Sequence, residues 1–160
     1  MWVVVFLTST WYYIGTGQQQ EGNMKYQYND GGRERAGWKG KRAGDCTPRA
    51  IAIASGEHYQ NVRRDLDALV KEMTGGLDTT TNNGTPVPVS HRYLVEQGWE
   101  LVLTKGQYLK DLPGSGTYIA VLPRHKVAVI NGVAQDTWDS RKSRRTKCGS
   151  PKLEGYYQRQ

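Results

Sequence analysis

An apolar run at residues 127–130, a polar Asn131-Gly132 pair and an apolar restart at Val133 predict a β-hairpin over residues 124–138. The residues before the turn are apolar and rich in β-branched side chains, and Asn131-Gly132 is the dipeptide most typical of a tight hairpin turn. A two-residue turn there pairs Ile130 with Val133. Because opposed residues share a face of a sheet, this register decides which polar side chains of the two strands lie together.

Extended outward, the register pairs His125 with Trp138 and places Asp136 diagonal to the imidazole on the same face. A slip of one residue would put the two polar side chains on opposite faces. Strict alternation places Asp139, the rival partner for the histidine, on the other face opposite Arg124, where we expect an exposed ion pair. Trp138 either shields the His–Asp pair from water as a site wall or belongs to the core.

The rest of the chain reads as a loop, then helices, then strands. Residues 25–45 are glycine-rich and basic and predict a long loop, after which Asp45 is a suitable N-cap for a short helix ending near Gly56. A second helix is predicted over 58–73, and Ser90 is a candidate cap for a third that runs to about Gln97. The second helix has apolar, core-forming positions at Tyr59, Val62, Leu66, Leu69 and Met73, and a polar face at Arg63, Arg64, Asp67, Lys71 and Glu72.

Three further strands are predicted, at 99–104, at 117–122 and near 153–159. Helices followed by strands that are adjacent along the chain are typical of an α+β domain, with N-terminal helices packed on an antiparallel β-sheet. The chain of 160 residues is long enough for one such domain, which we expect to span 24–160.

The first 23 residues differ from the rest, because their apolar stretch is too short and interrupted for a membrane span and lacks the features of a signal peptide. Residues 20–24, QEGNM, can be encoded with a GGAGG ribosome-binding sequence ahead of the Met24 codon. Met24 is therefore expected to be the start of translation, in a bacterial or phage gene. The alternative is an added N-terminal strand.

Charge and cysteine content narrow the class of partner and compartment. The formal net charge of +7 favours anionic partners such as nucleic acid, although a positive surface is more often a solubilising shell. Two cysteines give no disulfide framework, so a cytoplasmic thiol is expected. A zinc site from Cys46, His58, His125 and Cys148 would need an arrangement that the spacing does not signal, so no metal and no cofactor are expected.

Cys46 is the candidate nucleophile because it falls at the predicted start of a helix. The unpaired N–H groups and positive end of a helix stabilise a thiolate there, although a cysteine is also commonly a small buried hydrophobe. A carboxylate at Asp136 would fix one imidazole nitrogen of His125 and turn the other toward a thiol. The three residues together predict a thiol active site.

The residues around this triad resemble the papain-like cysteine peptidase superfamily. A helix-start cysteine is followed by a histidine at the head of a strand, in HKVAV, and by DTW at 136–138, which is similar to the family's Asn-Ser-Trp motif. The stretches GDCTPRAIAIASG and HKVAVINGVAQDTWD also look like small uncharacterised papain-like proteins of bacteria and phages. The resemblance implies a papain-like fold, with Cys46, His125 and Asp136 as catalytic residues.

The chain departs from the family pattern at the oxyanion site. Papain-like peptidases carry a glutamine shortly before the cysteine, but no glutamine lies between Tyr28 and Cys46. Gln27 or Asn29 could fold back to supply that donor, with the Cys46 backbone N–H as the second. Losing one oxyanion donor typically costs about a hundredfold to a thousandfold in rate.

The sequence thus predicts a thiol hydrolase or acyltransferase that acts on a peptide or amide bond of a peptide or protein substrate. The alternative is an inactive basic binding protein for nucleic acid or a host factor. A basic segment at 141–147 is its candidate anion-binding surface, through Arg141, Lys142, Arg144 and Arg145. No membrane association is predicted, and the substrate and oligomeric state are left open.

Overall fold

The computed structural model describes residues 24–39, 44–76 and 84–159, so the predicted extension over 1–23 lies outside the described residues. The fold is α+β. In chain order its elements are β1 (Lys25–Tyr28), α1 (Cys46–Ser55), α2 (Tyr59–Thr74), α3 (Val87–Glu96), β2 (Glu100–Leu103), a 3₁₀ turn (Leu109–Asp111), β3 (Thr117–Leu122), β4 (His125–Ile130), β5 (Val133–Asp136) and β6 (Gly155–Gln158). None of the helices in these ranges is long and apolar enough to cross a membrane.

The strands form one six-stranded sheet in the order β1-β5-β4-β3-β6-β2. The expectation of a purely antiparallel sheet is wrong, because β1 pairs with β5 in parallel while the other pairs are antiparallel. The prediction of loop from residue 25 is also wrong over Lys25–Tyr28. This four-residue strand lies at the sheet edge and buries little of its surface, so it lacks the apolar run by which buried strands are predicted.

The predicted hairpin register is confirmed where the ladder forms. Ile130 faces Val133, and the next two pairs follow in step. Asn131 and Gly132 both have positive φ, at 49° and 73°, as a tight turn of this kind requires. The ladder ends before the predicted His125–Trp138 pair, because β5 stops at Asp136 and the chain then bends away.

Two of the three predicted helices have nearly the expected bounds, and α1 has Asp45 at its N-cap and a left-handed Gly56 at its C-cap. The third begins earlier than predicted, at Val87. Ser90 lies inside it, where its hydroxyl donates to the Val87 carbonyl instead of capping the helix.

The assignment of the two faces of α2 needs correction at two positions. Met73 is exposed, whereas Val70 is buried in its place. Arg63, expected on the polar face, is buried because its guanidinium stacks over the Trp38 ring, 3.6 Å from the centroid.

The sheet is covered on both faces. One apolar cluster lies between the helices and one face of the sheet, around Ile119 and Tyr157, which pair in neighbouring strands. A second lies on the opposite face, around Ala120 and Val127, which also pair. Since α1 packs closely on β4, the start of the helix is fixed beside the start of that strand.

Candidate active site

Cys46 is the first residue of α1 and is half-buried. The first N–H groups of a helix have no partner within it, so its leading end is suited to stabilising negative charge. The Lys126 backbone N–H, on β4, and the His125 ring both lie close enough to the Cys46 sulfur to lower the pKa of the thiol. Cys46 and His125 also line one cleft, so the structure brings the predicted sulfur and imidazole together.

His125 opens β4 and is held by a carboxylate on the neighbouring strand. Its Nε2 lies 2.5 Å from Asp136 Oδ2, and the other oxygen of Asp136 accepts from the Thr137 N–H at 2.7 Å. Because Nε2 is engaged, Nδ1 is the ring nitrogen left to contact the thiol. The side chain of Asp136 is only 3% exposed, so this orientation is fixed within the protein.

The pKa values of the thiol and the imidazole move toward each other. Burial alone raises the pKa of Cys46, but its hydrogen bond to His125 and the positive charges of His125 and Lys126 outweigh burial and lower the pKa below 9.0. Burial would lower the pKa of His125, but its hydrogen bonds to Asp136 and Cys46 raise it from 6.5 to about 9. Both directions favour a thiolate beside an imidazolium at neutral pH.

Asp136 is tied to a second buried carboxylate through Arg49. The guanidinium of Arg49 lies 3.4 Å from Asp136 and 3.6 Å from Asp45, and donates to the Thr137 hydroxyl at 2.6 Å. Asp45 is fully buried and makes no side-chain capping bond, although it occupies the N-cap of α1. It instead accepts from the Tyr59 hydroxyl at 2.8 Å. Sequence reasoning missed this support, because Arg49 reads as a polar position of a short helix.

Arg33, in the N-terminal loop, lies 3.6 Å from Asp45 Oδ1, the oxygen that Arg49 also approaches. Together with Asp45, Arg49 and Asp136 it forms a layer of buried charges. The two arginines at Asp45, Arg33 and Arg49, are both less than a tenth exposed. Charged groups are buried at such a cost only where they are paired. The buried layer therefore joins α1, the N-terminal loop and the end of β5 behind the thiol.

A cleft of about 850 Å³ opens over the thiol and the imidazole. Its walls are formed by Tyr28, Arg33, Glu34, Gly44, Cys46, Arg49, Arg124, His125, Thr137 and Trp138. Trp138 is 51% exposed, and its ring centroid lies 5.2 Å from that of His125. It is therefore a wall of the cleft and no part of the apolar core.

The two residues predicted as oxyanion donors, Gln27 and Asn29, do not line this cleft. Gln27 lies exposed on β1. The amide of Asn29 donates to the Gln135 side chain at 2.8 Å and accepts from the Gly31 N–H at 2.8 Å, so its hydrogen bonds hold the sheet edge and a turn. Their placement gives the oxyanion assignment no support, which leaves the Cys46 N–H as the predicted donor at the thiol.

The basic segment at 141–147 also lies outside the lining of the cleft. Arg141 is committed elsewhere, since it donates to both carboxylate oxygens of Asp139 and to the Met24 carbonyl. The predicted pairing of Asp139 with Arg124 is wrong, because the strand ends before it and Asp139 turns to Arg141 and Lys142. Of the four candidate anion-binding residues, Lys142, Arg144 and Arg145 are exposed.

Within the described ranges no three His, Cys, Asp or Glu side chains lie close enough to hold a metal ion. Cys148, the second thiol, is exposed and is not part of the cleft lining.

No protein-family model, curated protein or solved structure matches the chain. The chemistry that the cleft can perform therefore follows from its own residues.

Proposed function

We propose that the protein is a papain-like thiol hydrolase or acyltransferase that cleaves a peptide or amide bond through a thioester on Cys46. The observation that carries the proposal is that the Cys46 thiol shares the cleft with an imidazole that lowers its pKa and whose Nε2 bonds Asp136 at 2.5 Å. A base within reach of the nucleophile, itself oriented by a third group, is the general signature of an activated nucleophile.

The proposed reaction begins with attack of the Cys46 sulfur on the carbonyl carbon, which forms a C–S bond and an oxyanion. The oxyanion accepts from the Cys46 N–H at the start of α1. As it collapses, the C–N bond breaks and His125 donates its Nδ1 proton to the leaving amine. A water molecule or an acceptor amine, deprotonated by His125, then attacks the thioester and releases the thiolate.

Asp136 and Arg49 act on this reaction through His125. Asp136 keeps Nε2 engaged, so that Nδ1 remains directed at the sulfur and the leaving group. Arg49 contacts Asp136 and Thr137 and therefore limits rotation of the residues that close the end of β5. Arg49 is a positioning residue in this scheme.

The proposal is tested by following acylation and alkylation of both cysteines in one sample by peptide mass spectrometry. A 4-nitrophenyl ester should place its acyl group on Cys46, and iodoacetamide at mildly acidic pH should modify Cys46 faster than exposed Cys148. Both preferences should be lost in His125→Ala, while Cys148 reacts as before. Equal labelling of the two thiols in the wild-type protein, with no acyl adduct on Cys46, would rule the proposal out.

The basic segment favours one second candidate, an anion-binding protein without catalysis. Lys142, Arg144 and Arg145 are exposed on one stretch of chain, as a phosphate-binding loop would require. Salt-dependent retention on heparin that disappears when these residues are neutralised, together with an unreactive Cys46, would select this candidate over the thiol enzyme.

A further inference from the structure

Arg124 occupies a backbone position that suits glycine. Leu122 pairs with His125 across a two-residue connection, Pro123-Arg124, and Arg124 has a φ of 60°. Proline followed by a left-handed residue is the pattern of a type II turn, whose second central position favours glycine or asparagine. In the described part of the chain, every other residue with positive φ is a glycine or Asn131.

Among the described residues, the side chain of Arg124 has no hydrogen-bond or ion-pair partner. It is exposed, it lines the cleft, and none of the carboxylates in the described ranges pairs with it. The other two arginines of the cleft, Arg33 and Arg49, are both held by Asp45. Arg124 is thus the cleft arginine whose guanidinium can pair with a group that enters from solvent. Residues other than glycine in a left-handed conformation cluster at active sites and ligand-binding positions.

The position of Arg124 also indicates which part of a substrate it meets. Arg124 directly precedes His125 and lines the same cleft. Because His125 protonates the leaving amine in the proposed reaction, its neighbour Arg124 is expected to meet the leaving portion of the substrate. Glu34, in the N-terminal loop, is an exposed carboxylate in the cleft lining, so the cleft is not uniformly cationic. A guanidinium at the rim is suited to binding a carboxylate through two hydrogen bonds.

We propose that Arg124 binds a carboxylate on the leaving-amine portion of the substrate, so that the cleft selects peptides or amides with an anionic group next to the scissile bond. This inference rests on the proposed function for the direction of the substrate. The carboxylate is either the free carboxyl terminus or an acidic side chain of the leaving residue, which share the same chemistry toward a guanidinium.

Iodoacetate and iodoacetamide test the effect of the Arg124 charge directly, because the two reagents alkylate the same sulfur and differ mainly in their own charge. The ratio of their rates at Cys46 should fall about fivefold in Arg124→Gln, the size expected for one nearby charge pair in a solvated cleft. Arg124→Lys should keep most of the ratio. Arg64→Gln, an equal loss of charge on α2 outside the cleft lining, should keep all of it, as should Cys148 in every variant.

Acceptor amines then separate the two sources of the carboxylate. The acyl group on Cys46 is transferred to alanine, to aspartic acid α-amide or to alaninamide; the amine nitrogen attacks the thioester and the thiolate leaves. A rate advantage for alanine indicates a terminal carboxylate and one for aspartic acid α-amide a side chain, and either should disappear in Arg124→Gln.

The two proposals fail in different ways. Slow alkylation of Cys46 by both reagents would contradict the proposed thiol enzyme. The ratio of the two rates would still report on the charge of Arg124. An unchanged ratio in Arg124→Gln, in a protein whose circular dichroism matches that of the wild type, overturns the role of Arg124 even if Cys46 is fully reactive.

Discussion

Replacing Asp136 by asparagine removes one negative charge beside His125 and leaves an oxygen that can accept from Nε2. The raised pKa of His125, from 6.5 to about 9, means that the folded site favours the charged ring by about 3 kcal/mol. Burial opposes this shift, and the hydrogen bonds and charges of Asp136 and Cys46 together produce it. If the carboxylate charge supplies about half of it, the pKa of His125 should fall by about one unit in Asp136→Asn.

Histidine NMR measures this shift, with His58 and His91 as internal references in the same chain. Amide cleavage needs the imidazolium as proton donor, so its alkaline limit should lie near pH 9 in the wild type and move to lower pH in the variant. Alkylation needs only the thiolate, so the wild-type rate should show no such alkaline fall. Asp139→Asn is the matched control, because that carboxylate bonds Arg141 and not the histidine.

The same shift predicts how the stability difference between wild type and Asp136→Asn depends on pH. A histidine whose pKa is raised on folding stabilises the folded state fully below its unfolded pKa near 6.5, and this contribution is lost as the pH rises through about 9. The wild-type advantage in unfolding free energy should therefore be largest below pH 6.5 and shrink toward pH 9. A His125 that titrates near 6.5 in the wild type, or at the same pH in both proteins, would refute this reasoning.

Three further substitutions test individual assignments by thermal unfolding. Arg124→Gly should raise the melting temperature by about 2 to 4 °C, because relieving a left-handed arginine yields about 1 kcal/mol; a lower value would show that the turn is unstrained. Arg141→Ala should cost about 1–3 kcal/mol through its lost hydrogen bonds to Asp139 and the backbone, whereas exposed Arg144→Ala should cost nothing measurable. Asn29→Ala should lower stability by about 1 kcal/mol and leave the alkylation rate of Cys46 unchanged; a slower acylation without loss of stability would restore its oxyanion role.

The hairpin could be predicted because its determinants are local. The Asn131-Gly132 turn sets the register, and the register alone makes His125 and Asp136 neighbours. The same pattern could not extend to Trp138, since strand pairing ends at Asp136 where β1 also ends alongside it. A parallel edge strand far away in sequence leaves no periodic signal in the hairpin itself.

The buried charges behind the site could not be predicted, because each has an ordinary role in its local context. Asp45 reads as a helix cap and Arg49 as a solvated helix position, and only the packing of α1 against β4 and β5 turns both inward. The burial of Arg63 differs from its predicted exposure for a related reason. Its partner Trp38 lies in the N-terminal loop, where no periodicity indicates what that loop covers.

Arg49 makes the site and the fold depend on each other. It lies between two carboxylates that are at most 3% exposed, Asp45 and Asp136, and removing it would leave both with weaker compensation. Asp45 retains Arg33 and the Tyr59 hydroxyl, whereas Asp136 retains only the His125 ring and a backbone N–H among the described contacts. Loss of Arg49 should therefore affect mainly Asp136, whose remaining cationic partner among the described contacts would be the His125 imidazolium. Through Asp136, a residue on α1 thus helps to position His125, and the first residue of the same helix carries the thiol, so both reacting groups depend on the placement of this one helix.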